Sequence, residues 1–239
     1  MTVDVEGSTT DLEGRPKGQG YGYVPEAPCQ MVNSGKLMFL LHDRQSNAIA
    51  YAKNGSDPIT VGTAHASLAA LDAATVAAGT YDYYLGSAAD GAYARLGTSP
   101  DRLVTFTFEG DVDPDDGYVE SAAKLMLRIA KRRGGLTDDE IDTDAFDALH
   151  TLNTSRCGIF ITEEMTVGEA LDMLANSIGA WWGFTADGLL TCGRLDLPLA
   201  GDTPDITLTQ DDLSDPDTPI EELVLDQTNG GIPARNVIL

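Results

Sequence analysis

The stretch Thr166–Arg194, TVGEALDMLANSIGAWWGFTADGLLTCGR, predicts a capped helix followed by a tight hairpin. Thr166 and Glu169 have the spacing of a capping box, in which a hydroxyl and a carboxylate each bind a free backbone N–H of the first turn. Gly179 ends the helix, because glycine enters the left-handed conformation without steric cost. Between them an apolar stripe recurs at helical spacing, formed by Val167, Leu171, Leu174 and Ile178.

The second half of this stretch predicts a β-hairpin. Two strand-like segments flank Asp187-Gly188, and this dipeptide is favoured in the type I′ turn that joins paired strands. Adjacent strand residues point to opposite faces of a sheet. Of Trp181 and Trp182 we therefore expect one to pack in the core and the other to serve an interface, with Phe184 as a further packing or contact residue.

The charge of the chain restricts its partners. The 239 residues carry a formal net charge of −23, and such a surface repels phosphate backbones and anionic lipid. We therefore expect no direct nucleic-acid binding. The basic cluster Lys131-Arg132-Arg133 ends a predicted helix, where positive charge complements the helix dipole, and it is predicted to cap that helix or lie in solvent.

No targeting or membrane segment is expected. The first residues lack the basic and apolar regions of a secretory signal, and the apolar run Leu37–Leu41 is far too short to cross a bilayer. Cys29, Cys157 and Cys192 lie far apart without a C-x-x-C pair. This spacing predicts buried, reduced thiols, and neither a disulfide framework nor a metal site. We expect no cofactor.

The pattern of elements predicts an α+β fold in three regions. Residues 1–20 are polar and glycine-rich, which is typical of an extended arm. Residues 21–110 are predicted as a β-rich domain with one short helix, in which Lys36–Leu41 and Ala48–Tyr51 form a β pair. An acidic turn introduces residues 111–239, predicted as a domain of helices and a β-hairpin.

Three helices besides the capped one are expected, and they are Ala66–Ala78, Tyr118–Arg133 and Thr143–Leu152. The final residues Val237, Ile238 and Leu239 form an apolar run that predicts a strand. Such a strand needs a partner in this chain or another, so these three residues are interface candidates.

The acidic segment Asp111-x-Asp113-x-Asp115 begins like a calcium-binding loop. The similarity stops there, because Asp116 occupies the position of the required glycine and Ala122 that of the bidentate glutamate. Acidic residues just before a helix are favourable on their own. We therefore predict a solvated helix entry rather than a cation site.

The sequence contains no recognisable set of catalytic residues. The chain has no G-x-S-x-G motif, and His42, His65 and His150 are scattered without metal-ligand spacing. His42 is predicted to lie in a turn, where exposure is the usual state. We predict no catalytic residues and no enzymatic activity. A pair of carboxylates of the glycosidase type stays open as an alternative, because sequence alone does not select two among so many.

The chain resembles tail-tip, or baseplate, proteins of long-tailed bacteriophages, in the hub-like class with tube-type domains. The segments that carry the resemblance are Leu12–Lys17 leading into Gly22–Pro25, Leu37–Asp43, Tyr81, Tyr93–Gly97, Ile129–Leu136 and, most specifically, Val167–Leu195 with its G-A-W-W-G-F and D-G hairpin.

The resemblance implies a structural role in the virion tail, assembled in the host cytoplasm. Subunits of this class form rings, typically trimers of β-barrel-like tube domains, which close the tail tube and carry host-contact proteins. The implied partners are other tail proteins and copies of the chain itself. Some relatives hold an iron–sulfur cluster on clustered cysteines, which the spacing here does not provide. A cell-wall glycan hydrolase and a carbohydrate- or receptor-binding module are the alternatives.

Overall fold

A computed structural model describes residues 16–87 and 89–194. Thirteen strands and four helices occupy this part of the chain, which agrees with an α+β class. None of the described helices is both long enough and apolar enough to cross a membrane. The predicted terminal strand, Val237–Leu239, lies outside the described residues.

Nine strands form one mixed sheet with the order β11-β1-β8-β4-β5-β6-β7-β3-β2. All neighbours are antiparallel except β5 and β6. The strands are β1 (Gln19–Ala27), β2 (Gln30–Asn33), β3 (Met38–His42), β4 (Ala48–Asn54), β5 (Asp57–Ala64), β6 (Thr80–Tyr84), β7 (Ala92–Leu96), β8 (Val104–Glu109) and β11 (Gly158–Ile161).

This sheet curls, so that β1 approaches β3 across it. The N–H of Asp43 donates to the carbonyl of Gly18 at 3.1 Å, and the N–H of Gly20 donates to His42 Nδ1 at 3.0 Å. The concave side encloses aromatic residues of several strands, including Phe39, Phe106 and Phe108. Apolar burial by these side chains is the main stabilisation of the curled sheet.

The helices belong to a second core beside the sheet. They are α1 (Leu68–Ala73), α2 (Ala122–Arg132), α3 (Thr143–Leu152) and α4 (Val167–Ser177). The last three pack together with Tyr21 of β1 and Ile159 of β11. Strand β11 therefore has a double role, because it extends the sheet by pairing with β1 and also contributes to the helical core.

The remaining strands form two small hairpins. They are β9 (Val112–Asp113) with β10 (Gly117–Tyr118), and β12 (Ala180–Phe184) with β13 (Leu190–Arg194). The second of these and the preceding helix confirm the predicted helix and hairpin, but the predicted type I′ turn is wrong, because Gly188 has a positive φ of 84° and Asp187 does not. Thr166 and Glu169 form both bonds of the capping box, and Leu171 and Leu174 are buried.

Other predicted helices and strands are present, but some of them begin or end at different residues than predicted. Helix α3 has the predicted bounds, whereas α2 begins at Ala122 instead of Tyr118, which lies in β10. Helix α1 covers only Leu68–Ala73 of its predicted range. Strand β1 begins at Gln19, inside the segment predicted as an arm.

The predicted pairing of Lys36–Leu41 with Ala48–Tyr51 is wrong. Strand β3 pairs with β2 and β7, whereas β4 pairs with β5 and β8. Both segments are genuine strands, but chain proximity does not decide their partners. Residues between them turn away to reach opposite parts of the curled sheet, and the N–H of Ser46 donates to the carbonyl of Leu85.

Candidate functional site: a buried arginine–aspartate joint

A buried polar cluster lies where α2 meets the end of β8. Arg128 and Arg132 are one helical turn apart, so they project from the same face of α2. Asp111, which follows β8, is 1% exposed and accepts from both of them. Its Oδ2 lies 2.9 Å from Arg128 Nη1, and its Oδ1 lies 2.9 Å from Arg132 Nη1. We call Asp111, Asp113, Arg128 and Arg132 the arginine–aspartate joint.

The second terminal nitrogen of each guanidinium group in the joint is also hydrogen-bonded. Arg128 Nη2 donates to the carbonyl of Gly117 at 3.0 Å, and Arg132 Nη2 donates to Asp113 Oδ2 at 2.7 Å. Both arginines thus bind the segment between β8 and α2 through side-chain and backbone oxygens. Charge-assisted bonds of this kind are stronger than neutral ones, so they fix that segment against the helix.

His42 adds a link from this joint to β3. It is fully buried, and its Nδ1 accepts the N–H of Gly20 at 3.0 Å. The proton of the neutral ring therefore lies on Nε2, which is 3.4 Å from Asp111 Oδ1. The predicted exposure of His42 is wrong, because the ring fills the space where β1 approaches β3.

Arg133 makes the third connection between helix and sheet. Its Nε donates to the hydroxyl of Tyr21 at 2.8 Å, and its Nη2 donates to Asp43 Oδ2 at 2.6 Å. Lys131 pairs with Asp138 at 2.5 Å. The basic cluster therefore lies at the C-terminal end of α2, as predicted, and each of its residues also binds a specific acidic partner.

The carboxylates of the joint are held in their charged form. Burial opposes ionisation of Asp111, but hydrogen bonds from His42 and Arg128 and the charge of Arg132 outweigh it and lower its pKa. At Asp113 burial also raises the pKa, but hydrogen bonds from the N–H of Asp115 and from the Arg132 guanidinium outweigh this effect and lower the pKa to about 2. The predicted solvated loop is wrong at Asp111, and its oxygens are engaged by arginine.

We expect Asp113 to contribute stability that disappears in acid. A lowered pKa means that the contribution is complete above the unfolded-state value of 3.8 and is lost as the pH falls towards about 2. Asp113→Asn should therefore cost about 1–2 kcal/mol at pH 7 and almost nothing near pH 2. Urea unfolding across this pH range measures the difference, with Asp115→Asn at the exposed neighbouring position as control.

The other two histidines lie in separate places. His65 Nε2 is 2.9 Å from Asp82 Oδ2, and Asp82 Oδ1 accepts the N–H of Thr63. His150 Nδ1 is 2.8 Å from Ser121 Oγ, the geometry of a nucleophile and its base. Ser121 is only 3% exposed, however, so a substrate does not reach this oxygen in the described conformation.

No group of three or more His, Cys, Asp or Glu side chains within the described ranges is arranged to hold a metal ion. The three cysteines are free thiols. Cys29 and Cys192 are buried, and Cys157 is half-buried near Ser177. Burial raises the pKa of Cys29 well above its usual range, and burial with the nearby charge of Asp142 raises the pKa of Cys192 to about 12.

This difference predicts selective labelling of the thiols. In the native protein at pH 8, a soluble maleimide should modify Cys157 at least about tenfold faster than Cys29 or Cys192, since the reactive species is the exposed thiolate. Peptide mapping by mass spectrometry identifies the modified residue. Equal rates for all three cysteines in the native state would contradict the described burial, and in denaturant the rates should converge.

The hairpin places its aromatic residues in different environments. Trp181 is 45% exposed and its ring lies over Gly193, whereas Phe184 is 61% exposed at the end of β12. Trp182 is half-buried against the helical core, and its Nε1 donates to Asp172 Oδ1 of α4 at 2.7 Å. The candidates Val237, Ile238 and Leu239 lie outside the described residues.

Comparison with known proteins adds no relative. A scan against protein-family models, a search of curated proteins and a search of solved structures each find no match to this chain. Functional inference therefore rests on the residues and their geometry.

Sequence reasoning misses both the arginine–aspartate joint and the burial of His42. A signal for the joint is present, because Arg128 lies between apolar residues of α2 and Arg132 follows four residues later. Two arginines on the apolar side of a helix require buried acidic partners, and the acidic segment before α2 contains candidates, although the sequence does not single out Asp111. The burial of His42 has no such signal, since it depends on the approach of β1 to β3.

Proposed function

We propose that the chain is a structural, non-enzymatic subunit of a bacteriophage tail tip, where copies form a hub ring between the tail tube and host-contact proteins. One observation carries this proposal: apolar side chains are exposed on two separate elements of the fold. Strand β5 is exposed along nearly its whole length although it has a neighbour on each side, and the β12 hairpin exposes two aromatic rings.

The first of these surfaces we call the sheet patch, centred on Val61 of β5. Val61 is 56% exposed on β5, and Tyr51 is exposed on the neighbouring β4. The second we call the hairpin patch, centred on Trp181 of β12. We propose that a neighbouring copy covers each of these surfaces in the assembly, which removes apolar area from water. Contact between two different patches of identical subunits propagates head to tail, and it forms a ring when the rotation between neighbouring subunits closes.

The buried ion pairs of the fold support a structural role for the chain rather than an enzymatic one. Asp111, the most buried acidic side chain of the described residues, has its oxygens engaged by two arginines, and Arg133 engages Asp43. These ion pairs connect the helical core rigidly to the curled sheet. The resemblance of Val167–Leu195 to hub-like proteins points the same way. A channel lined by acidic side chains would let DNA pass without binding its phosphates.

Assembly of the purified chain tests this proposal. Mass photometry and negative-stain electron microscopy of the wild type should show rings of a fixed number of subunits. Val61→Asp and Trp181→Asp should each reduce the ring population at least about tenfold, because a charge must be buried in the contact.

Leu152→Asp is the matched control, since this leucine is similarly exposed but lies outside both patches. It should leave the rings intact. A wild-type chain that stays monomeric at micromolar concentration would argue against the ring. Peptidoglycan turnover lost on changing one Asp or Glu would favour the hydrolase, and glycan binding lost with Trp181→Ala would favour a carbohydrate-binding module.

A further inference from the structure

A groove of about 610 Å³ opens at the two ends of the nine-stranded sheet. Its residues come from β2, from β11 and its following turn, and from the segments on either side of β1. They are Pro16, Gly18, Pro28, Cys29, Gln30, Met31, Phe160, Thr162 and Glu163. The groove does not overlap the arginine–aspartate joint or either exposed patch.

Both strands that reach this groove are terminal strands of the sheet. Within the described ranges, β2 pairs only with β3, and β11 pairs only with β1. The outer edge of a terminal strand presents backbone N–H and C=O groups to whatever lies beside it. An extended peptide binds such an edge by adding a strand, and side-chain pockets beside the edge then give specificity.

Gln30 gives an independent indication of a ligand. Its Nε2 is buried, and no hydrogen-bond partner for it is found among the described residues. A buried donor without an acceptor is unfavourable, so a rotation of the Gln30 side chain that brings Nε2 to an acceptor on an occupant of the groove would be favourable. Apolar walls from Met31 and Phe160 require that the occupant also carry an apolar side chain.

Charge selects among the peptides that meet these requirements. Glu163 lines the groove, Glu164 follows it, and the chain as a whole carries −23. An acidic strand is repelled from this site. A strand with lysine or arginine beside its apolar residues is attracted.

We propose that this groove binds an extended basic peptide strand of a partner protein, which adds to the sheet edge, places an apolar side chain against Met31 and Phe160, and gives a carbonyl to Gln30. The inference goes beyond the proposed function and does not depend on it, because it rests on the groove alone. Ring formation and peptide binding are measured separately, so either can fail without the other.

The test uses the full chain and a fluorescent peptide, acetyl-KVTVKVT-amide, with anisotropy as the readout. An acidic twin, acetyl-EVTVEVT-amide, should bind at least about tenfold more weakly. A basic peptide with N-methylated alternate amides should also bind more weakly, since strand addition depends on backbone hydrogen bonds. Equal binding of the basic, acidic and methylated peptides overturns the proposal.

Three variants locate the binding. Glu163→Lys should weaken the basic peptide about tenfold, while Asp187→Lys, the same charge change on the hairpin turn outside the groove, should change it less than about twofold. Gln30→Leu should weaken binding about fivefold, the equivalent of one neutral hydrogen bond. The same variant should leave the unfolding midpoint unchanged or raise it, because it removes an unpaired donor.

The outcomes separate the possible occupants. If Glu163→Lys and Asp187→Lys weaken binding equally, the peptide responds only to net charge and the proposal fails. If a peptide of residues 1–15 displaces the probe better than the unlabelled basic peptide does, the occupant is this chain itself and the partner assignment fails. Loss of binding in Glu163→Lys and Gln30→Leu, with intact folding by circular dichroism, supports it.

Discussion

Replacement of Asp111 by asparagine is expected to lower the free energy of unfolding by about 3–5 kcal/mol. The carboxylate is 1% exposed and compensates two guanidinium groups, Arg128 and Arg132, at 2.9 Å each. Removing one partner of a buried ion pair leaves charge without compensation in a poorly solvated place, which costs about this much. Asparagine tolerates the positive φ of 30° at this position, so the change tests charge rather than backbone strain.

Guanidinium chloride unfolding of the full chain measures this loss. Asp57→Asn is the matched control, because the Asp57–Arg102 pair is exposed on both sides and such pairs contribute at most about 1 kcal/mol. A loss at Asp111 no larger than that at Asp57 would show that water reaches the joint. The double variant Asp111→Asn with Arg128→Met should recover part of the loss, since one uncompensated charge is then gone.

The joint explains how one chain holds two cores in a fixed relation. Apolar packing is nondirectional, so the sheet core and the helical core do not by themselves fix the angle between them. Two arginines one helical turn apart, both bonded to the segment after β8, do fix it, and Arg133 adds a second contact at Asp43. A rigid body of this kind suits a subunit that acts by shape.

Local features of the fold are predictable from sequence, and non-local ones are not. The capping box at Thr166 and the hairpin around Asp187-Gly188 depend on contacts within a few residues, and both are present. The partners of β3 include β7, more than fifty positions away, which alternation of apolar residues does not encode. The predicted β3–β4 pairing is wrong because chain proximity is weak evidence of contact in a sheet of this order.

Burial of polar residues is the second feature that sequence does not predict. Composition favours exposure for Asp and His, and that preference is overturned only when a partner is supplied from elsewhere in the fold. For Asp111 the partners lie on α2, and for His42 one of them is the backbone of Gly20. Two arginines on the apolar face of a helix indicate that an acidic residue such as Asp111 is buried beside them. The burial of His42 is predictable only when it is known how the sheet curls.

Gly22→Ala is expected to lower the free energy of unfolding by about 2–5 kcal/mol, through a different mechanism. Gly22 lies in β1 where its pairing passes from β11 to β8, and its φ is +69°. A methyl group there would lie 2.4 Å from the carbonyl oxygen of Cys157 and 2.8 Å from Leu125 Cδ1. The left-handed conformation costs alanine about 1–2 kcal/mol, and overpacking adds about 1–3 kcal/mol.

Gly179→Ala separates these two contributions. Gly179 has a φ of +67°, almost that of Gly22, but apart from its neighbours along the chain no atom of the described residues lies within 4 Å of the position that an alanine methyl group would occupy there. Only the conformational cost of about 1–2 kcal/mol should therefore appear. The difference between the two variants in urea unfolding then measures the contact with Cys157. Equal losses would mean that the backbone of Cys157 moves aside freely. A larger loss at Gly22 would show that β1, β11 and α2 are packed tightly at this crossing, as a fixed connection between sheet and helices requires.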